Sequence, residues 1–244
     1  MAVNTWRRVY STAKRAEEYP LLMKVAGGKW HADMLGAAVS ALALLKEQPE
    51  RIIELGTGTG KLAGRLLRAW PRARLSAVDG SEAMLAKARE NLRGFGSRAE
   101  FLRRDFGAAR WSSGLPEACA VVSTIAIHHL SDAGKRRLYR EVFQLLRPGG
   151  IFVHGDALRH DEPVLRKKDD FMWGTAIRAR MRASGGRVLP VGEVVAWIDR
   201  TRRAEGDLPA SLASHLDWLR GAGFVQVDCW WKTFGFAVFG GVKP

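Results

Sequence analysis

Residues 51–70 read RIIELGTGTGKLAGRLLRAW. A short β-rich run passes into three glycines at alternate positions, and Leu62, Leu66, Leu67 and Trp70 then recur at the spacing of one helical face. Pro71 ends that helix. A strand that turns through glycines into a helix brings bare backbone to the rim of a sheet, where a ligand can approach closely. The same beat continues outward from this unit. Residues 75–78 form a second strand signal closing on Asp79 and Gly80, and Ser81 is an N-cap for a helix burying Met84, Leu85, Ala88 and Leu92. Residues 99–102 precede Asp105, and residues 118–127 are almost wholly apolar, as a central strand covered on both faces must be. Ser131 caps a helix carrying Leu138, Val142, Leu145 and Leu146, and Pro148-Gly149-Gly150 turns the chain into a strand at 151–153. The alternation predicts an α/β, doubly wound parallel sheet.

The rhythm fails in two places. Residues 1–50 read as helices, with Leu35, Val39, Leu42 and Leu45 on part of an apolar face, and residues 157–206 are basic and partly helical with few strand signals. They are expected to form an N-terminal helical lid segment and a helical cap inserted into a domain spanning 51–244. A helix at 212–219, the Gly221-Ala222-Gly223 stop and β-rich runs at 225–231 and 234–242 complete the pattern. Trp6, Tyr10, Tyr19, Trp30, Phe171 and Trp173 fall in the two extra segments, where aromatic rings serve either as packing or as walls of an apolar pocket. Arg166-Lys167-Lys168 and the set Arg178, Arg180, Arg182 read as solvated faces, or as contacts for an acidic group.

Composition narrows the class. With 244 residues, 47% hydrophobic and 26% charged, the chain has ordinary globular values, which excludes fibrous and low-complexity proteins. Cys119 and Cys229 sit in apolar stretches and form no CxxC pair, so neither a disulfide framework nor a metal site is expected. No apolar run reaches signal-peptide or membrane-spanning length, and a cytoplasmic location is expected. The formal net charge of +14 invites a nucleic-acid reading, but the excess is diffuse: +2 over residues 1–50, +8 over 51–156, +4 over 157–206 and none beyond.

The glycine turn has two nucleotide-type readings. A dinucleotide fingerprint, G-x-G-x-x-G, needs a small residue at position 61, where this chain has Lys61. Asp79, ending the second strand, can accept two hydrogen bonds from the hydroxyls of a ribose, a requirement shared by NAD and adenosyl ligands. The ordered set ELGTGTG (54–60), VDGSEAML (78–85), RRDF (103–106) and LLRPGG (145–150) resembles the class I S-adenosyl-L-methionine (SAM)-dependent methyltransferases over about residues 51–156. The resemblance implies a Rossmann-like seven-stranded sheet with an antiparallel last strand, SAM as cofactor and S-adenosyl-L-homocysteine as product. Carried over by position, Gly56, Gly58 and Gly60 would admit the methionine portion and sugar, Glu54 would orient the ammonium group, and Asp79 would hold the ribose. Gly80 and Met84 would border the adenine, Asp105 would accept from its exocyclic amine, Phe106 would give backbone and apolar contact, and Ser123 and Thr124 would face the methionine end.

His128-His129-Leu130 follows the fourth strand, where substrate meets the methyl group. A neutral imidazole there can take a proton from an attacking hydroxyl, while the plainer reading is a residue bonded to backbone at a helix start, with no carboxylate partner nameable. His154 and Asp156 are secondary candidates, and His31, His160 and His215 read as packing or surface residues. Because SAM is already activated, transfer can also run on positioning and exclusion of water alone. The expectation is methyl transfer to an O, N or C nucleophile of a small molecule held under the lid, since two extra segments suit an enclosed pocket better than an open cleft for folded RNA. The alternatives are a tRNA or rRNA methyltransferase, a SAM-using enzyme resembling carboxy-SAM synthase with an Arg binding a carboxylate beside the sulfonium, and a noncatalytic SAM-binding protein. No sequence feature sets the oligomeric state.

Overall fold

The computed structural model describes residues 5–185 and 187–244, with side chains from Arg8 onward, so the side chain of Trp6 lies outside the described residues. In chain order the elements are α1 (Thr5–Tyr10), α2 (Ala13–Ala26), α3 (Gly28–Ala41), β1 (Arg51–Leu55), α4 (Lys61–Ala69), β2 (Arg74–Asp79), α5 (Glu82–Leu92), β3 (Ala99–Arg103) and β4 (Ala118–Thr124). They continue with α6 (Asp132–Leu145), β5 (Leu146–Ala157), α7 (Pro163–Ala183), α8 (Val191–Glu205), α9 (Leu212–Gly221), β6 (Val225–Thr233) and β7 (Phe236–Val242). The sheet runs β3-β2-β1-β4-β5-β7-β6, with β7 antiparallel to both of its neighbours. The expected Rossmann-like, doubly wound arrangement is the one observed. Strand order reverses between β1 and β4, and the crevice above the C-terminal ends of those strands is where open α/β sheets bind ligands.

Two cores flank the sheet. Met34, Leu35 and Leu66 cover Ile52, Val122 and Val238 on one face, while Leu138, Tyr139, Val142 and Leu219 cover Phe152 and Phe239 on the other. Serine caps start α5, α6 and α9, each hydroxyl accepting a backbone N–H of the first turn. The fifth strand is longer than its sequence signal, because pairing with β4 begins at Leu146 and resumes after a register break, with Gly149 at φ +74° between the two parts.

The two extra segments pack on each other around a third, smaller core of Ala26, Ile177, Val194 and Ile198. Its polar anchor is the carbonyl end of α2, whose last carbonyls have no partner within the helix. Ala26 O accepts from Trp30 Nε1 (3.0 Å), Trp173 Nε1 (2.8 Å) and an Arg180 guanidinium N–H (3.0 Å), and Val25 O accepts from Arg180 Nε (2.6 Å). Arg180 is therefore a helix-end clamp rather than the solvated residue the sequence suggests. Arg166 joins α7 to α8 through Asp199 (3.1 Å). Phe171, read from sequence as either packing or a pocket wall, is 60% exposed on α7 and lines neither of the two cavities described below.

Candidate active site

The loop after β1 is strapped across the end of β2, with Gly56 N and Thr57 N both donating to Val78 O (2.8 and 3.1 Å). Gly56 sits at φ +69°, and a Cβ there would collide with the Cβ of Ala126. Gly58, at φ +53°, would project a Cβ into open space, and that space is a cleft of about 370 Å³. Glu54, Gly56, Gly58, Gly60, Asp79, Gly80, Met84, Phe106, Thr124 and His129 all line it.

Two buried carboxylates face this cleft. Asp79 Oδ2 accepts from Gly58 N (2.8 Å) and Oδ1 from Ser81 N (2.8 Å), leaving further lone-pair sites on both oxygens. Burial raises its pKa, and the N–H groups of Ser81, Gly58 and Gly80 hold it back. Glu54 accepts from the Thr57 hydroxyl (2.5 Å), and burial, reinforced by the nearby Asp79 against that hydrogen bond, pushes it up to about 8. Two of the expected residues do not reach the cleft. Ser123 is fully buried and its hydroxyl donates to Leu55 O (2.9 Å), inside the sheet. Asp105 turns Oδ1 onto Gly107 N (2.8 Å), so that Phe106 alone of that pair lines the cleft. His31, read from sequence as packing, does line it. Its Nδ1 is buried without a hydrogen-bond partner among the described residues, and burial together with Lys61 and Arg65 holds its pKa down at about 4.

A second chamber of about 100 Å³ adjoins the cleft and shares Tyr10, Tyr19, Met23 and Ile125 with it. Trp30, Trp173, Trp197 and Phe236 form its walls, and His128, Arg202, Glu205 and Asp207 its polar end. The roof joins the N-terminal helices to the cap. Arg15 pairs with Glu205, and its guanidinium lies over the rings of Tyr10 (5.1 Å) and Tyr19 (5.9 Å). Ser81 Oγ donates to Tyr10 O (2.6 Å), which seats α1 directly on the Asp79 turn.

The histidine pair divides between the two spaces. After β4 the chain turns at Ile125 (φ +50°) into a 3-10 turn, Ile127–His129, that aims His128 at the chamber and His129 at the cleft. Asp156, at the end of β5, supplies the carboxylate partner, its Oδ1 lying 2.5 Å from His128 Nδ1, while His128 Nε2 is 3.6 Å from Asp207. Burial alone would lower the His128 pKa, but Asp156, Asp207 and Glu205 overcome it and raise it to about 9. Asp156, despite its burial, is held well below the usual carboxylate range by His128 and His154. Burial and the neighbouring His128 push His129 down. Among the described residues, His128, His129 and Asp207 are also the group whose potential ligand atoms come within 4.8 Å of one another, close enough for a metal ion. Here Asp207 is paired with both rings, 3.3 Å from His129 Nδ1.

Residues 52–150 match the family model described as a methyltransferase domain. Over that segment the chain resembles the class I SAM-dependent methyltransferases. The chain is 27% identical to a carboxy-S-adenosyl-L-methionine synthase of Aeromonas salmonicida (strain A449) over 211 residues, 85% of this chain and 81% of that one. It is 29% identical to a ubiquinone/menaquinone biosynthesis C-methyltransferase of Methylobacterium nodulans over 62% of this chain and 59% of the relative. In fold it is similar to an O-methyltransferase family protein from Burkholderia thailandensis (TM-score 0.69, 16% identity) and to human N-acetylserotonin methyltransferase in complex with SAM (TM-score 0.65, 16% identity). All of this chain is covered in both, and it spans 64% and 60% of their lengths. The cleft suits a ligand such as the SAM held by the human neighbour: two buried carboxylates, Glu54 and Asp79, face it together with Lys61 and His31. Among the described residues no helix is long and apolar enough to cross a membrane.

Proposed function

We propose that this enzyme transfers the SAM methyl group to an oxygen of a small, largely apolar acceptor enclosed between the sheet, the N-terminal helices and the cap. The carrying observation is the aromatic chamber that adjoins the cofactor cleft and shares Tyr10, Tyr19 and Ile125 with it, with His128 at its polar end. In this reading Asp79 holds the ribose, Glu54 the ammonium and His31 with Lys61 the carboxylate of the cofactor, while Met84 and Phe106 border the adenine. Bound SAM supplies an activated methyl group on a sulfonium. The protein supplies the rest: apolar walls that exclude water, and an imidazole whose Nδ1 is committed to Asp156, so that Nε2 meets the acceptor hydroxyl and takes its proton. The charge formed on the ring is matched by Asp156 and Asp207. A chamber of about 100 Å³ takes one small ring or short chain, and enclosure of this kind favours a small molecule over RNA.

The carboxy-SAM synthase relatives favour a second reading, in which a carboxylate-bearing molecule sits beside the sulfonium. That chemistry asks for an uncommitted cation at the chamber. The guanidinium groups bordering it, Arg15 and Arg202, are instead paired with Glu205 and with Asp170 (2.8 Å). Incubating the purified chain with SAM and small-molecule extracts separates the two. Accumulation of S-adenosyl-L-homocysteine with a product heavier by one CH2 supports methyl transfer, and a carboxylated SAM without S-adenosyl-L-homocysteine overturns it.

A further inference from the structure

Behind His128 lies a buried line of polar side chains that the proposed transfer does not itself touch. His154 Nε2 is 2.9 Å from Asp156 Oδ2, His154 Nδ1 is 2.8 Å from the Tyr139 hydroxyl, and the same hydroxyl is 2.6 Å from His215 Nδ1. The four residues come from β5, α6 and α9 and are at most 1% exposed. Proton counting gives the line one direction. Asp156 is a carboxylate and only accepts, so His154 must present Nε2–H to it. A neutral His154 then has a bare Nδ1, which obliges the tyrosine to donate there, and the tyrosine oxygen is left to accept from His215 Nδ1–H. Every dipole points toward Asp156, an arrangement in which each hydrogen bond strengthens the next. Asp156 also accepts from His128 N (3.0 Å) and Ala157 N (2.8 Å), so among the described residues His154 and His128 are its two side-chain donors.

We propose that His154, Tyr139 and His215 are positioning residues that act through Asp156, fixing His128 with its proton on Nδ1 and Nε2 toward the acceptor, and drawing off part of the carboxylate charge that would otherwise hold the His128 proton. The proposal rests on His128 being the group that meets the acceptor. Other charged or titratable groups also face His128: Asp207 and Glu205 act on its charge, the His129 ring lies 4.1 Å from its own, and Tyr10, Tyr19 and Arg202 share the chamber with it. None of these changes when His154 is replaced, so the contribution of the buried line is separable. Removing the His154 donor leaves the Asp156 charge more fully on His128, and the His128 pKa rises.

Long-range 1H–15N spectra of the uniformly 15N-labelled full chain, recorded from pH 5 to 10, report the tautomer and titration of each histidine without needing turnover. The expected result is His154 as the neutral Nε2–H form and His215 as the neutral Nδ1–H form throughout, with His128 titrating while Nδ1 stays protonated. In His154→Phe the His128 midpoint moves up by roughly half to one pH unit, and His154→Gln, whose amide N–H reaches the Nε2 position, returns it toward wild type. Tyr139→Phe releases His215 from its tautomer and gives a smaller upward shift. An unmoved His128 midpoint in a folded His154→Phe protein overturns the proposal. If that variant does not fold, an Nδ1–H tautomer of His154 in the wild-type spectrum overturns it equally. The tautomers stand or fall independently of the acceptor, so a chain with the expected spectra and no methyl transfer on any acceptor would count against the proposed function and not against the line.

Discussion

Binding of SAM should expel a proton from Glu54. In the protein without ligand, burial and the neighbouring Asp79 raise this carboxyl from 4.5 to about 8, so at pH 7 it is largely protonated. At about 1.4 kcal/mol per pH unit, ionising it at pH 7, one unit below its pKa, costs about 1.4 kcal/mol. An ammonium group placed against Glu54 needs the carboxylate, so that cost has to be met from the binding energy. The affinity for SAM should therefore rise about tenfold per pH unit between roughly pH 6 and 8 and level off above, with close to one proton (about 0.9) released per SAM at pH 7. Titration calorimetry in two buffers of different ionisation enthalpy measures that proton directly. The α-ammonium of the ligand titrates near 8 on its own. It does so with wild type and Glu54→Gln alike, and the difference between them isolates Glu54. Stability carries the same signature: a carboxyl raised in the folded state contributes stability that is complete below pH 4.5 and lost as pH rises through about 8. Flat affinity and no buffer dependence in the wild type would show that Glu54 does not meet the ammonium.

Three further outcomes are expected. Asp79→Ala should weaken SAM binding by about 1 to 3 kcal/mol by equilibrium dialysis, since the ribose hydroxyls lose a charged acceptor, with circular dichroism checking the fold. Gly56→Ala should lower the melting temperature by an amount equivalent to about 1 to 3 kcal/mol and reduce SAM binding, because the residue is held at φ +69° against Ala126. The rate of methyl transfer should climb with pH toward about 9, where His128 loses its proton, and His128→Gln should flatten that limb in a pH–rate profile.

The parts of this molecule that were readable from sequence are those set by neighbours along the chain. Glycine turns, serine caps and apolar strands identify the sheet and the cleft because each is a local requirement of backbone geometry. What escaped depends on contacts made across the chain. Asp156 lies 28 residues from His128, and Glu205 lies 190 residues from Arg15, so no spacing rule pairs them. Ser123 stands where a strand meets the cleft, but its hydroxyl turns to Leu55 O, and sequence does not fix a rotamer. His31 carries no motif, since its place in the cleft follows from how α3 docks on the sheet. Arg180 looks like surface charge because the carbonyls it satisfies end a helix about 155 residues earlier.

The central claim is that the cleft between Glu54 and Asp79 is a SAM site, and the most direct test is mass spectrometry of the small molecules released by heat from protein equilibrated with SAM, S-adenosyl-L-homocysteine and NAD together. Retention of SAM or S-adenosyl-L-homocysteine by the wild type, and its loss in Asp79→Ala, is the predicted result. Retention of NAD with neither adenosyl sulfur compound would contradict it.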